Sequence, residues 1–197
     1  MDETVIRAMA KWPNVPAVWG WLSLDRRGAW KLRGESIPNR ATVEFIGRNY
    51  SSDCRGRWFF QNGPQRVFVD LAYTPWVYSL DGRGALVTHT GRNCGTVDRA
   101  WLDETGTLIV AGEPGPGIVD DRDLLALSDR LVDGYGRAVE AAFVSAFIAS
   151  PPGSETELRL EHGGVRVRVG RIDSDEVAER LRFEPHPSRD ATQGGPP

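Results

Sequence analysis

The chain is poor in the side chains from which reactive centres are built. Among 197 residues there are two cysteines, Cys54 and Cys94, three histidines, His89, His162 and His186, and two methionines. Neither cysteine has a Cys-x-x-Cys partner and the histidines are scattered, which argues against the usual metal-ligand patterns, so neither a metal nor a cofactor is expected. The two thiols are expected to be reduced, as cytosolic proteins rarely keep disulfides. No run of 18 apolar residues exists, which excludes a transmembrane helix. The opening stretch MDETVIRAMAKW has acids where a signal peptide needs an apolar core, so a cytoplasmic location is expected. Lysine is almost missing: Lys11 and Lys31 stand against 22 arginines, which fits a high-GC coding bias better than a designed surface.

What is present is turn-rich. Glycine and proline number 22 and 13, and 40% of residues are hydrophobic, which suits one compact domain or two small subdomains of short elements. The net charge of −3 hides a split. Residues 1–100 carry 14 Lys+Arg against 9 Asp+Glu, whereas residues 101–197 carry 10 against 18. The positive half admits an anionic partner, but its arginines are interleaved with acids, so a nucleic-acid stripe ranks low.

Periodicity and breakers give the elements. Residues 2–10 are predicted helical, stopped by Pro13 and Pro16. Val18–Leu24 and 29–33 form a hairpin around Asp25-Arg26-Arg27-Gly28, and Ser36 with Pro38 starts a helix. Strands are predicted at 57–60 and 66–71, 77–80 and 85–89, 100–103 and 107–110, and 157–160 and 165–169. The stretch Glu113-Pro114-Gly115-Pro116-Gly117 is predicted to lack regular structure. Helices are predicted at about 120–132, 137–148 and 173–181, and residues 184–197 as a disordered tail.

A weak internal repeat runs through this order. Leu24-Asp25-x-x-Gly28-x-Trp30 matches Leu102-Asp103-x-x-Gly106-x-Leu108, and Gly63-x-x-Arg66-Val67-x-Val69 matches Gly163-x-x-Arg166-Val167-x-Val169. The expected fold is therefore α+β: two hairpin-helix-hairpin subdomains, residues 1–97 and 98–183, each with a small antiparallel sheet. Six of the seven tryptophans fall in the first.

The strings KWPNVPAVWGWLSLDRRGAW, FIGRNYSSDCRGRWFFQNGPQRVFVDL and TPWVYSLDGRGALVTHTG resemble an uncharacterised, mainly proteobacterial family of unknown function, which implies no activity. Trp21 with Gly28-x-Trp30, the Ile37-Pro38 helix start and the basic-apolar strand are also similar, more faintly, to a second unknown-function family, whose pattern is W-x-x-x-x-x-G-x-W. That likeness implies repeated α+β motifs and a suggested role in signalling or ligand binding. The order here is Ile-Pro where that pattern has Pro-Ile.

No catalytic constellation emerges. Cys54 lies beside Arg55 and Arg57, and His89 ends a strand; an enzyme using either is the alternative reading. Asp120, Asp121 and Asp123 are explained by helix capping, and Gly115-Pro116-Gly117 has no phosphate-loop spacing. Binding is the stronger class. The candidates are Trp58, Phe59, Asn62, Gln65, Arg66, Phe68, Tyr73 and Trp76, since aromatics mixed with arginines can hold planar or anionic groups at about 0.5–2 kcal/mol per cation–π contact. Strand alternation sends Trp58 and Phe60 to the core and leaves Phe59 and Phe68 for an outer or cleft position. The expectation is a non-enzymatic module that binds a small molecule or a protein, with oligomeric state open.

Overall fold

The computed structural model describes residues 1–154 and 156–189. It forms two compact units, Met1–Tyr73 with the chain from Arg182, and Thr74–Leu181. The division falls at 73/74 instead of the expected 97/98, because the strand pair after Tyr73 joins the second sheet. Among the described residues no helix is long and apolar enough to cross a membrane.

The first unit contains α1 (Glu3–Lys11), β1 (Val18–Leu24), β2 (Trp30–Leu32), β3 (Glu35–Ser36), α2 (Arg40–Arg48), β4 (Tyr50–Ser52), β5 (Trp58–Asn62) and β6 (Gln65–Leu71). Its sheet runs β3-β2-β1-β6-β5-β4. β1 and β6 are parallel and the other neighbours antiparallel, so the sheet is mixed and not antiparallel as expected. A parallel join needs a crossover, and α2 supplies it. The helix starts at Asn39, whose side chain accepts from Thr42 N–H at 2.9 Å, and not at Ser36. One face of the sheet packs beneath α2: Phe45 meets Phe60 edge-on at 5.4 Å, and Tyr50 meets Trp30 and Trp58 at 5.0 and 4.9 Å. Leu24, Val69 and Leu71 complete this core, each at most 1% exposed. The expected tail at 184 is partly ordered: Glu184 N–H donates to Gly56 O, and Pro185 O accepts from Leu71 N–H. Gly56 has φ +76°, and a Cβ there would strike the Arg182 carbonyl. Residues 190–197 of that expected tail lie outside the described residues.

The second unit contains β7 (Trp76–Leu80), β8 (Leu86–Thr88), β9 (Arg99–Leu102), β10 (Leu108–Gly112), β11 (Gly115–Val119), α3 (Leu124–Ser128), β12 (Leu131–Val132), α4 (Ala141–Ile148), β13 (Arg159–His162), β14 (Val165–Arg171) and α5 (Val177–Arg180). Its order is β12-β13-β14-β9-β10-β11-β7-β8, with parallel joins β9–β14 and β7–β11. Read from β11 to β12, six strands follow the order of the first sheet. The helix expected over 120–132 is shorter, ending at Ser128 before β12. From Gly115 onward the proline-glycine stretch is a strand, contrary to expectation. Its carbonyls take donors from large side chains: Trp76 Nε1–H donates to Pro114 O and Tyr78 O–H to Gly115 O, both at 2.8 Å. Gly117 lets Trp76 and Tyr78 pack onto its backbone, where a Cβ would sit 2.6 Å from Trp76 O.

One turn recurs in both units. At Asp25, Asp53, Asp81, Asp103 and Asp133 the sequence is Asp-x-x-Gly-x. In each, the carboxylate accepts the backbone N–H groups two and four residues on, at 2.8–3.1 Å. Two of these turns go further: Arg57 donates Nε–H to Asp53, and Arg137 to Asp133, both at 2.8 Å.

Candidate functional site

The face of the first sheet turned away from α2 is built by β1, β5 and β6. Phe59 pairs directly with Phe68, and Gln61 with Arg66, so all four share this face. An irregularity in β1 between Val18 and Leu22, with Gly20 at φ +69°, brings Trp19 onto it as well. Trp19 lies flat on Phe68, ring centroids 3.8 Å apart and planes 2° apart, and Phe59 meets Phe68 edge-on at 5.8 Å. Such aromatic pairs add about 0.5–1.5 kcal/mol beyond burial. Phe59 and Phe68 are 4% and 3% exposed, so both are covered, by Trp19 and by arginines. Arg66 stands 4.6 Å from the centre of Phe59, and Arg57 stands 5.0 Å from Phe68 and 5.5 Å from Trp19.

A cleft of about 320 Å³ opens here, lined by Trp19, Phe68, Arg57, Arg66 and Arg189. Its charge is uneven. Arg57 is fixed by Asp53, Nη2 to Oδ2 at 2.7 Å. Burial pushes the Asp53 carboxyl up, but the Arg57 guanidinium and the N–H groups of Arg57 and Arg55 outweigh it and hold the group below its ordinary value. Arg66 and Arg189 have no carboxylate partner among the described residues. The lining therefore carries three cations and no acid.

A second cavity, of about 430 Å³, adjoins through Ala17 and Arg66 and is lined on its other side by Met9, Trp12 and Pro13. Gln61 lies in its wall, 1% exposed, with its Nε2–H donating to Gly63 O at 2.9 Å.

The structure distributes the candidate residues as follows. Phe59, Arg66 and Phe68 come together. Trp58 belongs to the core beneath α2, its ring tilted 39° against that of Tyr50. Asn62 is exposed at the β5–β6 turn, and Gln65 donates to Pro16 O at 3.1 Å, tying the proline segment to β6. Tyr73 lies under Arg26 at 4.3 Å. Trp76 is a core residue of the second unit, 1% exposed. Of the alternative catalytic residues, Cys54 is exposed in the first unit, and His89 in the second accepts from Val77 N–H at 3.3 Å. Cys94 is buried, and burial pushes its thiol up. Trp19, Arg57, Gln61 and Arg189 were not among the candidates. Only Trp19 and Arg57 left a signal, in the Trp-Gly-Trp strand and in the Asp-x-x-Gly-Arg turn.

No curated protein matches the chain. The fold is shared with a DUF1285 family protein from Silicibacter pomeroyi DSS-3, 16% identical, with a TM-score of 0.52 over 83% of this chain and 86% of that one. A DUF1285 family protein from Shewanella baltica OS155 is 16% identical, with a TM-score of 0.41 over 54% of this chain and 88% of that one. A family model, DUF2944, described as protein of unknown function (DUF2946), matches residues 1–188, and the chain belongs to that family.

Proposed function

We propose that this protein is a non-enzymatic small-ligand-binding module, and that its site is the arginine–aromatic cleft of the first unit. The ligand class is a planar ring bearing an anionic group. The observation that carries this is the stacked Trp19–Phe68 pair beneath three arginines, two of which have no carboxylate partner among the described residues. A guanidinium fork holds a phosphate or carboxylate through two parallel N–H···O bonds, and Trp19 offers a face for the ring. Arg57, pinned by Asp53, supplies a cation whose position costs no ordering on binding.

Calorimetric titration with phenyl phosphate tests it. Arg66→Ala and Trp19→Ala should each weaken binding about tenfold, since a charge-assisted hydrogen bond contributes roughly 1.5–3 kcal/mol. Benzylamine, with the opposite charge, should not bind. If neither phenyl phosphate nor benzoate gives heat, or both variants bind as the parent does, the reading fails.

The two sheets are further read as a duplicated unit. What supports this is the common order of six strands, the Asp-x-x-Gly turns after β1 and β9 and after β4 and β12, and the matching glycines Gly63 and Gly163. In that reading the first copy kept or gained the cleft and the second supplies a framework.

A further inference from the structure

The second cavity contains a group that nothing in the fold uses. Gln61 is 1% exposed, and its Oε1 has no hydrogen-bond partner among the described residues. The amide orientation is set, because Nε2–H donates to Gly63 O, which leaves the oxygen as the free end. A buried amide oxygen without a donor is destabilising until a donor reaches it. Directly across the ladder stands Arg66, exposed and without a carboxylate partner among the described residues. The second sheet places Glu161 opposite Arg166 in the same arrangement, and there the two form an ion pair at 3.1 Å. The glutamine therefore removes a charge that would have neutralised Arg66.

We propose that Gln61 and Arg66 form a recognition point for an amide edge, a carboxamide N–H set beside its C=O. Gln61 Oε1 accepts the N–H and the Arg66 guanidinium donates to the carbonyl. Met9, Trp12 and Pro13 receive the apolar body attached to it. Gln61 Oε1 is screened from solvent, so binding requires the wall to open for the donor, and Trp12, 52% exposed, is the large wall side chain least held by burial. This site does not depend on occupancy of the anion cleft, although the two share Arg66.

Benzamide is the probe, followed by the Trp12 indole N–H resonance in two-dimensional NMR, assigned with Trp12→Phe. Benzamide should shift that resonance, and N,N-dimethylbenzamide, which has no N–H, should bind at least about fivefold more weakly. Gln61→Leu should abolish the difference between the two probes, while Trp19→Ala, which weakens the anion cleft, should leave it intact. Gln61→Glu should close the site by pairing with Arg66. If Gln61→Leu does not fold, Trp12→Ala, at an exposed position, should still weaken benzamide. Equal binding of the two amides, no shift with benzamide, or an unchanged preference in Gln61→Leu overturns the assignment. A loss of phenyl phosphate binding with benzamide binding retained would sink the cleft reading alone.

Discussion

The outer face of the first sheet and the same face of the second differ in kind. Phe59, Gln61, Arg66 and Phe68 occupy the places that Arg159, Glu161, Arg166 and Arg168 hold in the second. There the arginines are answered by acids: Arg159 and Arg168 pair with Glu157 at 2.9 and 3.6 Å, and Arg166 with Glu161 at 3.1 Å. An exposed ladder of this sort costs little and holds little, about 0–1 kcal/mol per pair. In the first sheet two of the cations are replaced by rings, the acid by an amide, and a half-buried tryptophan is laid over the result. Six strands follow a common order, so the contrast lies in the side chains and in the irregularity of β1 that lays Trp19 over the face, which is where binding is expected to reside.

The cores beneath differ as well, and here the largest effect is expected. Trp30, 2% exposed, takes the place that Leu108 takes in the second sheet, each opposite the leucine that precedes an Asp-x-x-Gly turn. Trp30→Ala should cost about 3–5 kcal/mol by opening a cavity against Tyr50, and Leu108→Ala about 2–5 kcal/mol. Urea denaturation measures both. Hydrogen exchange should place the first loss in β1–β6. A Trp30→Ala midpoint indistinguishable from the parent would mean that the ring is not a core element.

The next test exchanges the two faces. Gln61→Glu gives the first sheet the ion pair of the second. Phenyl phosphate affinity should then fall about tenfold, or about 1.4 kcal/mol, because Arg66 is engaged before the ligand arrives. Folding stability should fall by about 1–3 kcal/mol, because the position is 1% exposed and a carboxylate cannot keep the donation to Gly63 O. An unchanged affinity would show that Arg66 is not in the site.

The helix caps provide a third contrast, of about 1 kcal/mol. A capped turn of helix follows β3 in the first unit, with Asn39, and β11 in the second, with Asp120. Arg122 holds the Asp120 carboxyl down to about 2, and the Arg122 N–H adds to it. A depressed folded-state value means stability that is present above the unfolded value of 3.8 and lost as pH falls through about 2. Since Arg122 is largely exposed, screening reduces this to about 1 kcal/mol. Asp120→Asn should keep the cap, lose that increment at neutral pH and flatten the stability profile between pH 4 and 2. The asparagine cap of the first unit has no such dependence. A profile as steep in Asp120→Asn as in the parent would assign the acid sensitivity elsewhere.

Much of this contrast was legible in sequence. β1 is read at its observed bounds, Val18–Leu24, because alternation and a turn signal agree. The Asp-x-x-Gly turns at Asp25, Asp81 and Asp103 mark their hairpins in the sequence, because each aspartate binds the backbone N–H groups of its own turn. What was not legible depends on distant partners. The parallel joins β1–β6 and β9–β14 have no local signature. β11 reads as a loop because its prolines and glycines are explained only by Trp76 and Tyr78. The same dependence misplaced Trp76: a tryptophan after a proline looks alike whether its N–H meets solvent or Pro114 O. Gln61 was absorbed into the turn because β5 extends two residues beyond Phe60. The alternation argument separated Phe59 and Phe68 from Trp58 and Phe60, but it could not show that Trp19 covers them and leaves them 4% and 3% exposed, since Gly20 shifts the register of β1.

The smallest effect is expected from the reverse exchange, Glu161→Gln, and it decides what makes a site. Both partners of the Glu161–Arg166 pair are about half exposed, so stability should drop by no more than about 0.5 kcal/mol. The substitution releases Arg166 as Arg66 is released, yet it restores neither ring: Arg159 and Arg168 still stand where Phe59 and Phe68 would. If an unpaired arginine were sufficient, the variant would bind a second equivalent of phenyl phosphate. If the aromatic floor is required, the stoichiometry stays at one and only a weak, salt-screened association with inorganic phosphate is gained. We expect the second outcome, because the free energy of a small site comes from desolvated charge set against a ring, and Arg166 stands beside Arg159 and Arg168 where Arg66 stands beside Phe59 and Phe68.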